Sequence, residues 1–214
     1  FPFQSNYTIH EIGEPHKESF WGYYDHSPLS KNEEYILFQE AKNKTSIAPV
    51  AQSQLEIILA EFKGGRALFR TSSKAYNWQQ GSKLMFLEGD RFIYNDTAKG
   101  KLISKIIHIK NLDNVLEIPY PIYDAKADFA LTLNFDRLTH FRPDYGYRST
   151  GIKVDASAFN DQKDGVFYVN LKTKERHLII SLKSLAQSSG APIENAEQWV
   201  NHIMISPSGT KFMF

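Results

Sequence analysis

The sequence contains no cysteine. That excludes a disulfide framework and thiolate chemistry, and it leaves the compartment open. No stretch approaches the roughly 18 apolar residues that a membrane-crossing helix needs. Net charge is +1, and no block of lysine and arginine stands out, so a nucleic-acid footprint is not expected. GxSxG, HExxH, a P-loop and GxGxxG are all missing, which removes the short motifs with a known mechanism. Carboxylates are plentiful, but spacing alone sets no pair of them, so glycosidase chemistry is not assigned. Long helical periodicity is also scarce. The chain begins FPFQSNYTIHEIGEP, with neither an initiator Met nor a charged-then-apolar leader. A removed leader or a fragment is the expectation.

What is present points to strands. The 214 residues are 42% hydrophobic and 23% charged, as suits a globular chain with a sizeable core. Aromatics make up 14%, with 15 Phe and 11 Tyr, and such residues pack well on a pleated surface. Sequons occur at Asn6, Asn43 and Asn95. They matter only in a glycosylating pathway.

One phrase recurs. The chain ends NHIMISPSGTKFMF, and residues 25–40 read DHSPLSKNEEYILFQE. Both run Ser-Pro, a small polar turn and an aromatic-rich strand. Looser copies are FLEGDRFIYND (86–96) and AKADFALTLNF (125–135). Each of the first three is followed by a hairpin pattern: LEIILAEFKGGRALFR (55–70), LISKIIHIKNLDNVLEIPY (102–120) and GVFYVNLKTKERHLIIS (165–181). Their expected turns are Gly-Gly, Asn-Leu-Asp-Asn and Lys-Thr-Lys. Four antiparallel strands per unit, repeated at about 40–50 residues, predict an all-β β-propeller, because one small twisted sheet covers its faces only by stacking on its neighbours. The alternative is an irregular sandwich.

The predicted blades are 20–73, 75–120 and 121–182, with 198–214 supplying the first two strands of a fourth. A single incomplete propeller over 1–214 is therefore expected. Propellers close with about four to eight blades, and an open array leaves exposed strand edges. The reading is a piece of a longer protein, or a ring closed by a partner chain. Residues 6–13 are a candidate outer strand of a closing blade. Residues 182–200 read as a loop with a short helix near 194–200.

The Ser-Pro-turn-aromatic phrase resembles the repeats of TolB-type propellers, whose usual form is Ser-Pro-Asp-Gly before an aromatic strand. SPSGTKFMF is close, SPLSKNEEYILF departs at the turn, and the inner copies lack Ser-Pro. Oligogalacturonate lyases are similar propellers. WGYYDHSP, NWQQG and FRPDYGY resemble segments of bacterial propellers associated with polysaccharide handling. The resemblance implies a fold, a poly- or oligosaccharide ligand of acidic type, and a polysaccharide-lyase or other glycan-processing reaction if the chain is an enzyme. It also implies channel histidines holding a divalent metal.

Loops entering each inner strand, and loops joining second and third strands, are expected on one face around the channel mouth, where binding residues concentrate. His26 beside Asp25 is a candidate base or ligand; blade-bracing hydrogen bonds are the alternative. Trp78, Gln79 and Gln80 offer an indole face and amides for sugar hydroxyls, or else a core Trp with satisfied amides. The long insertion at 134–165 far exceeds an ordinary connection. It carries Arg137, His140, Arg142, Asp144, Tyr145 and Tyr147, and arginine forks suit a carboxylate; internal Arg-Asp pairing is the alternative. His202 precedes the last repeat. His26, His202 and Arg142 are thus the catalytic candidates. Trp78, Gln79, Gln80, Arg137, Tyr145 and Tyr147 are the substrate-binding candidates. His26, His140 and His202 are the metal candidates. Two functions fit: a carbohydrate-binding or carbohydrate-processing propeller, and a non-catalytic protein-interaction scaffold.

Overall fold

The computed structural model describes residues 9, 11–42, 45–188 and 196–214. Half of the candidate closing strand at 6–13 lies outside them, as do Asn6 and Asn43; residues 9 and 11–13 are not in a strand. The chain is mostly β. Strands β1 (Glu18–Phe20), β2 (Tyr35–Ala41), β3 (Leu55–Glu61) and β4 (Ala67–Ser73) form one antiparallel sheet in chain order. A second is built from β5 (Met85–Leu87), β6 (Arg91–Ala98), β7 (Lys101–His108) and β8 (Asn111–Ile118). A third holds β9 (Asp124–Lys126), β10 (Phe129–Thr132), β11 (Gly165–Asn170) and β12 (Arg176–Ser181). Two further strands, β13 (Met204–Ile205) and β14 (Phe212–Met213), pair at the end.

The sheets stack face to face in series. Leu37, Ile57 and Leu59 of the first meet Phe92, Tyr94 and Ile107 of the second. Ile93, Ile106 and Ile118 of the second meet Ala130 and Val169 of the third. Leu131 and Val166 of the third meet Ile203, Ile205 and Phe212. Middle strands are therefore covered on both faces and read as near-continuous apolar runs, as in LEIILAE. The outer strands β8 and β12 stay largely exposed. Each fully buried Leu or Ile contributes about 1.5–3 kcal/mol. Every four-stranded sheet carries an irregularity between its third and fourth strands, at Leu59/Ala60, Ile107/His108 and Val166/Phe167. Such bulges increase twist, and their recurrence supports a structural repeat.

Two local expectations are corrected. The second hairpin does not turn at Asn-Leu-Asp-Asn, because Asn111–Ile118 is strand. The turn is Ile109-Lys110, fixed by Ile109 N–H donating to Asp90 O at 2.8 Å and by Lys110 Nζ pairing with Asp90 at 2.8 Å. The short helix is not at 196–200, which is irregular; instead α2 covers Leu182–Ser188. The long insertion between β10 and β11 is ordered. It begins with α1 (Phe135–Phe141), capped by Asn134, whose side chain accepts from the N–H groups of Asp136 and Arg137. Asn95 is fully buried and bonded to Ile122 and Tyr147, so its sequon is closed to glycosylation in the folded chain. No helix among the described residues is long and apolar enough to cross a membrane.

Candidate functional site

The first sheet's inner strand is interrupted. β1 pairs with Gln39–Ala41 of β2, and pairing resumes only at Leu29 opposite Ile36. Residues 21–28 therefore bulge out as a loop. Gly22 (φ 126°) brings it against the carbonyl of Gln80, where an added Cβ would sit 3.3 Å from the oxygen. Gln39, fully buried, clamps two loops at once. It donates to Trp21 O at 3.2 Å and accepts from Ser82 N and Oγ at 2.8 Å.

Charged side chains converge beneath this loop. Lys83 (φ 53°) and His202 (φ 54°) are both in the left-handed region, two residues before Met85 and Met204. That conformation costs a non-glycine residue about 1–3 kcal/mol and is concentrated at functional sites. The Lys83 side chain is only 2% exposed, so its ammonium must be paired. Nζ lies 3.3 Å from Asp25 Oδ2 and 4.4 Å from the centre of the Tyr123 ring. Burial pushes the Lys83 pKa below the usual lysine value, against the pull of Asp25 and Asp124. His26 Nε2 stands 3.2 Å from Asp124 Oδ1 and 3.7 Å from Asp25 Oδ2, off the axis of a true hydrogen bond. Burial works to raise Asp124, but the His26 ring, the Ile205 N–H at 2.6 Å and Lys83 hold it below the ordinary carboxylate value.

Tyr123 ties the second, third and fourth sheets together. Its hydroxyl donates to Asn201 Oδ1 at 2.8 Å and accepts from Gln80 Nε2 at 2.7 Å and His202 N at 3.0 Å. Burial pushes its pKa up to about 12. Above it lies an aromatic wall. The His202 ring is 5.7 Å from Tyr23 and 5.0 Å from Tyr145, and the Arg142 guanidinium lies 5.0 Å over Tyr145. Burial, followed by the charges of Arg142 and Lys83, lowers the His202 pKa, so the ring is neutral at pH 7. Burial and the Tyr145 hydroxyl raise Tyr23 to about 12. Arg66, Arg70, Arg91 and Arg137 are ion-paired, and Arg142 is not among them.

Among the described residues, four buried side-chain atoms lack a hydrogen-bond partner: Asp25 Oδ1, His26 Nε2, Gln80 Oε1 and Asn201 Nδ2. All four belong to this cluster. Native chains leave few such groups, and each calls for a reason.

The other sequence candidates sit elsewhere. The Trp78 indole braces the loops: Nε1 donates to Ile47 O at 2.6 Å, and the ring packs on Tyr76 and Phe20. Gln79 is exposed. Arg137, 4% exposed, uses its whole fork internally, on Gln198 O (2.6 Å), Asp164 (3.2 Å) and Asp161 (2.6 Å). Tyr147 is core, stacked on Phe135 at 4.7 Å with its hydroxyl accepting from Asn95. The polar groups of Arg137 and Tyr147 are thus engaged within the chain. His140 is exposed on α1, against Phe141 and Phe159. Among the described residues, no group of three or more His, Cys, Asp or Glu is placed to hold a metal. The implied three-histidine metal site does not fit, and no step is derived through one.

Lys83, Tyr123 and Asp124 were missed by motif reasoning. A signal existed: Ser-Lys-Leu-Met (82–85) aligns with Asn-His-Ile-Met (201–204), which places Lys83 and His202 at equivalent positions.

No family model and no curated protein matches this chain. A solved structure that does match is that of the apo form of the isopeptidase AtxE2, at 14% identity and a TM-score of 0.43, covering 82% of this chain and 32% of that one. The chain thus spans about a third of the length of that structure.

Proposed function

We propose that the stacked sheets are blades of a β-propeller whose entry-loop face binds a carbohydrate, an acidic oligosaccharide above all. The observation that carries this reading is a pair of partnerless buried polar atoms among the described residues, the acceptor Gln80 Oε1 and the donor Asn201 Nδ2, on the entry loops of the second and fourth sheets beside the aromatic wall. A polyhydroxylated ligand supplies both donors and acceptors to such a set. Tyr23 and Tyr145 provide ring faces for sugar C–H surfaces, and Arg142, with no carboxylate partner among the described residues, suits a uronate. Arg142 and the neutral His202 are also the pair that lyase-type processing needs, a cation at the acid group and a proton acceptor.

A glycan array tests the reading. Uronate-containing oligosaccharides should bind the wild type, and Tyr145→Ala and Arg142→Ala should weaken that signal by about tenfold or more on the scale of a charge-assisted contact. A blank array with folded protein overturns it. Appearance of unsaturated product, abolished by His202→Ala, would extend binding to catalysis.

The scaffold reading keeps one specific support. Trp21 (53%), Tyr24 (73%), Ile47 (56%) and Val50 (58%) are exposed on the loops beside the cluster, and apolar patches of this kind serve protein partners. It predicts a partner lost on Trp21→Ala and no glycan signal.

A further inference from the structure

On the other side of the Asp25–His26 network lies a cavity of about 680 Å³. Tyr23, Tyr145, Arg142 and His202 do not line it, so it is separate from the aromatic wall. Its lining carries charges of both signs, Asp25 and Asp124 together with Lys126 and Lys211, with His26 beside them. Met204, Ile205, Pro207, Phe212 and Met213 supply apolar walls.

Of the carboxylate oxygens in this lining, one has no partner. Both oxygens of Asp124 are engaged, by Ala125 N at 2.7 Å and Ile205 N at 2.6 Å. Asp25 Oδ2 faces Lys83, whereas Asp25 Oδ1 has no partner although the side chain is only 6% exposed. A partnerless oxygen on a buried carboxylate is costly, and a cationic donor relieves it.

We propose that this cavity binds an elongated zwitterion: a primary amine seated on Asp25 Oδ1, an aliphatic body along Ile205 and Phe212, and a carboxylate reaching Lys126 and Lys211. This site does not rest on the carbohydrate reading.

The test is isothermal titration calorimetry of the intact chain with 6-aminohexanoate, hexylamine and hexanoate. The two amines bind and hexanoate does not. Lys211→Ala, on an exposed side chain, should weaken 6-aminohexanoate about two- to fivefold, the range of an exposed ion pair, and leave hexylamine unchanged. Asp25→Asn should weaken both amines by about tenfold or more; its thermal melt checks that the variant folds, and if it does not fold the Lys211 comparison decides. Hexanoate binding as tightly as hexylamine, no amine binding, or equal weakening of both amines by Lys211→Ala overturns the proposal. Glucuronate leaves the hexylamine titration unchanged, which separates this site from the carbohydrate face.

Discussion

Arg137 shows how a residue type misleads until its partners are known. An arginine in a Tyr-rich insertion suits a ligand carboxylate, yet every arm of its fork holds the protein: the backbone of Gln198, Asp164 and Asp161. Arg137→Ala should therefore lower stability by about 3–5 kcal/mol in urea unfolding, the cost of orphaning a buried charge. Most of that loss comes through Asp164, because Asp161 is largely exposed and solvent screens it. A loss under about 1 kcal/mol would show that the insertion does not depend on this brace. The same ambiguity explains the uneven legibility of the site. His202 was visible because the terminal repeat places it just before a strand. Trp78 reads as a sugar face and Tyr147 as a substrate-binding residue because aromatic residues serve cores and ligands alike, and only burial separates the two. Lys83 was passed over because a single lysine in a sequence reads as surface; its left-handed backbone, which turns it inward, has no local signature beyond the alignment with His202.

At the scale of elements, the hairpin patterns were legible because middle strands covered on both faces must be apolar and β-branched, while their turns need polar or glycine residues. Two of the three predicted hairpin turns stand where expected, at Gly64-Gly65 and Lys172-Thr173-Lys174. The third shifted because Asn111–Ile118 lies at an exposed edge, where polar residues are tolerated in strand. Helix α1 was not legible, since its seven residues carry too few turns for a period to register. Gly165 marks the return of the insertion to the sheet. Its φ is 151°, and a Cβ there would collide with the carbonyl oxygen of Ile180 on the neighbouring strand. Gly165→Ala should break the start of the β11–β12 ladder. The expected outcome is loss of amide-exchange protection at Val166 and Phe167 together with a lower melting temperature. Retained protection at both amides would show that the strands can part without loss.

The molecule as a whole is a serial stack, and two predictions follow from that. The first concerns acid. Lys42 and then Lys17 hold Glu56 below its ordinary 4.5, and Asp124 is held below 3.8. Depressed carboxylates bind fewer protons folded than unfolded, so their stabilisation is full above those ordinary values and is lost as pH falls through the folded ones. The melting temperature should therefore drop as pH falls below about 4, and Glu56→Gln should flatten that drop. The second concerns where the stack is strongest. The second sheet is covered on both faces, by the first sheet through Phe92, Tyr94 and Ile107 and by the third through Ile93 and Ile106. Opening it requires parting two apolar interfaces. The β13–β14 pair has two residues in each strand, and Met213 is 61% exposed, so it opens across one interface. Local opening free energies follow buried apolar contact. The third sheet is likewise covered on both faces, through Ala130 and Val169 and through Leu131 and Val166. Amide exchange should accordingly be slowest in β6, β7, β10 and β11, intermediate in β2 and β3, and fastest in β13 and β14. Slowest exchange in the first sheet would mean that stability comes from the sheet itself and not from the stacking of one sheet on the next.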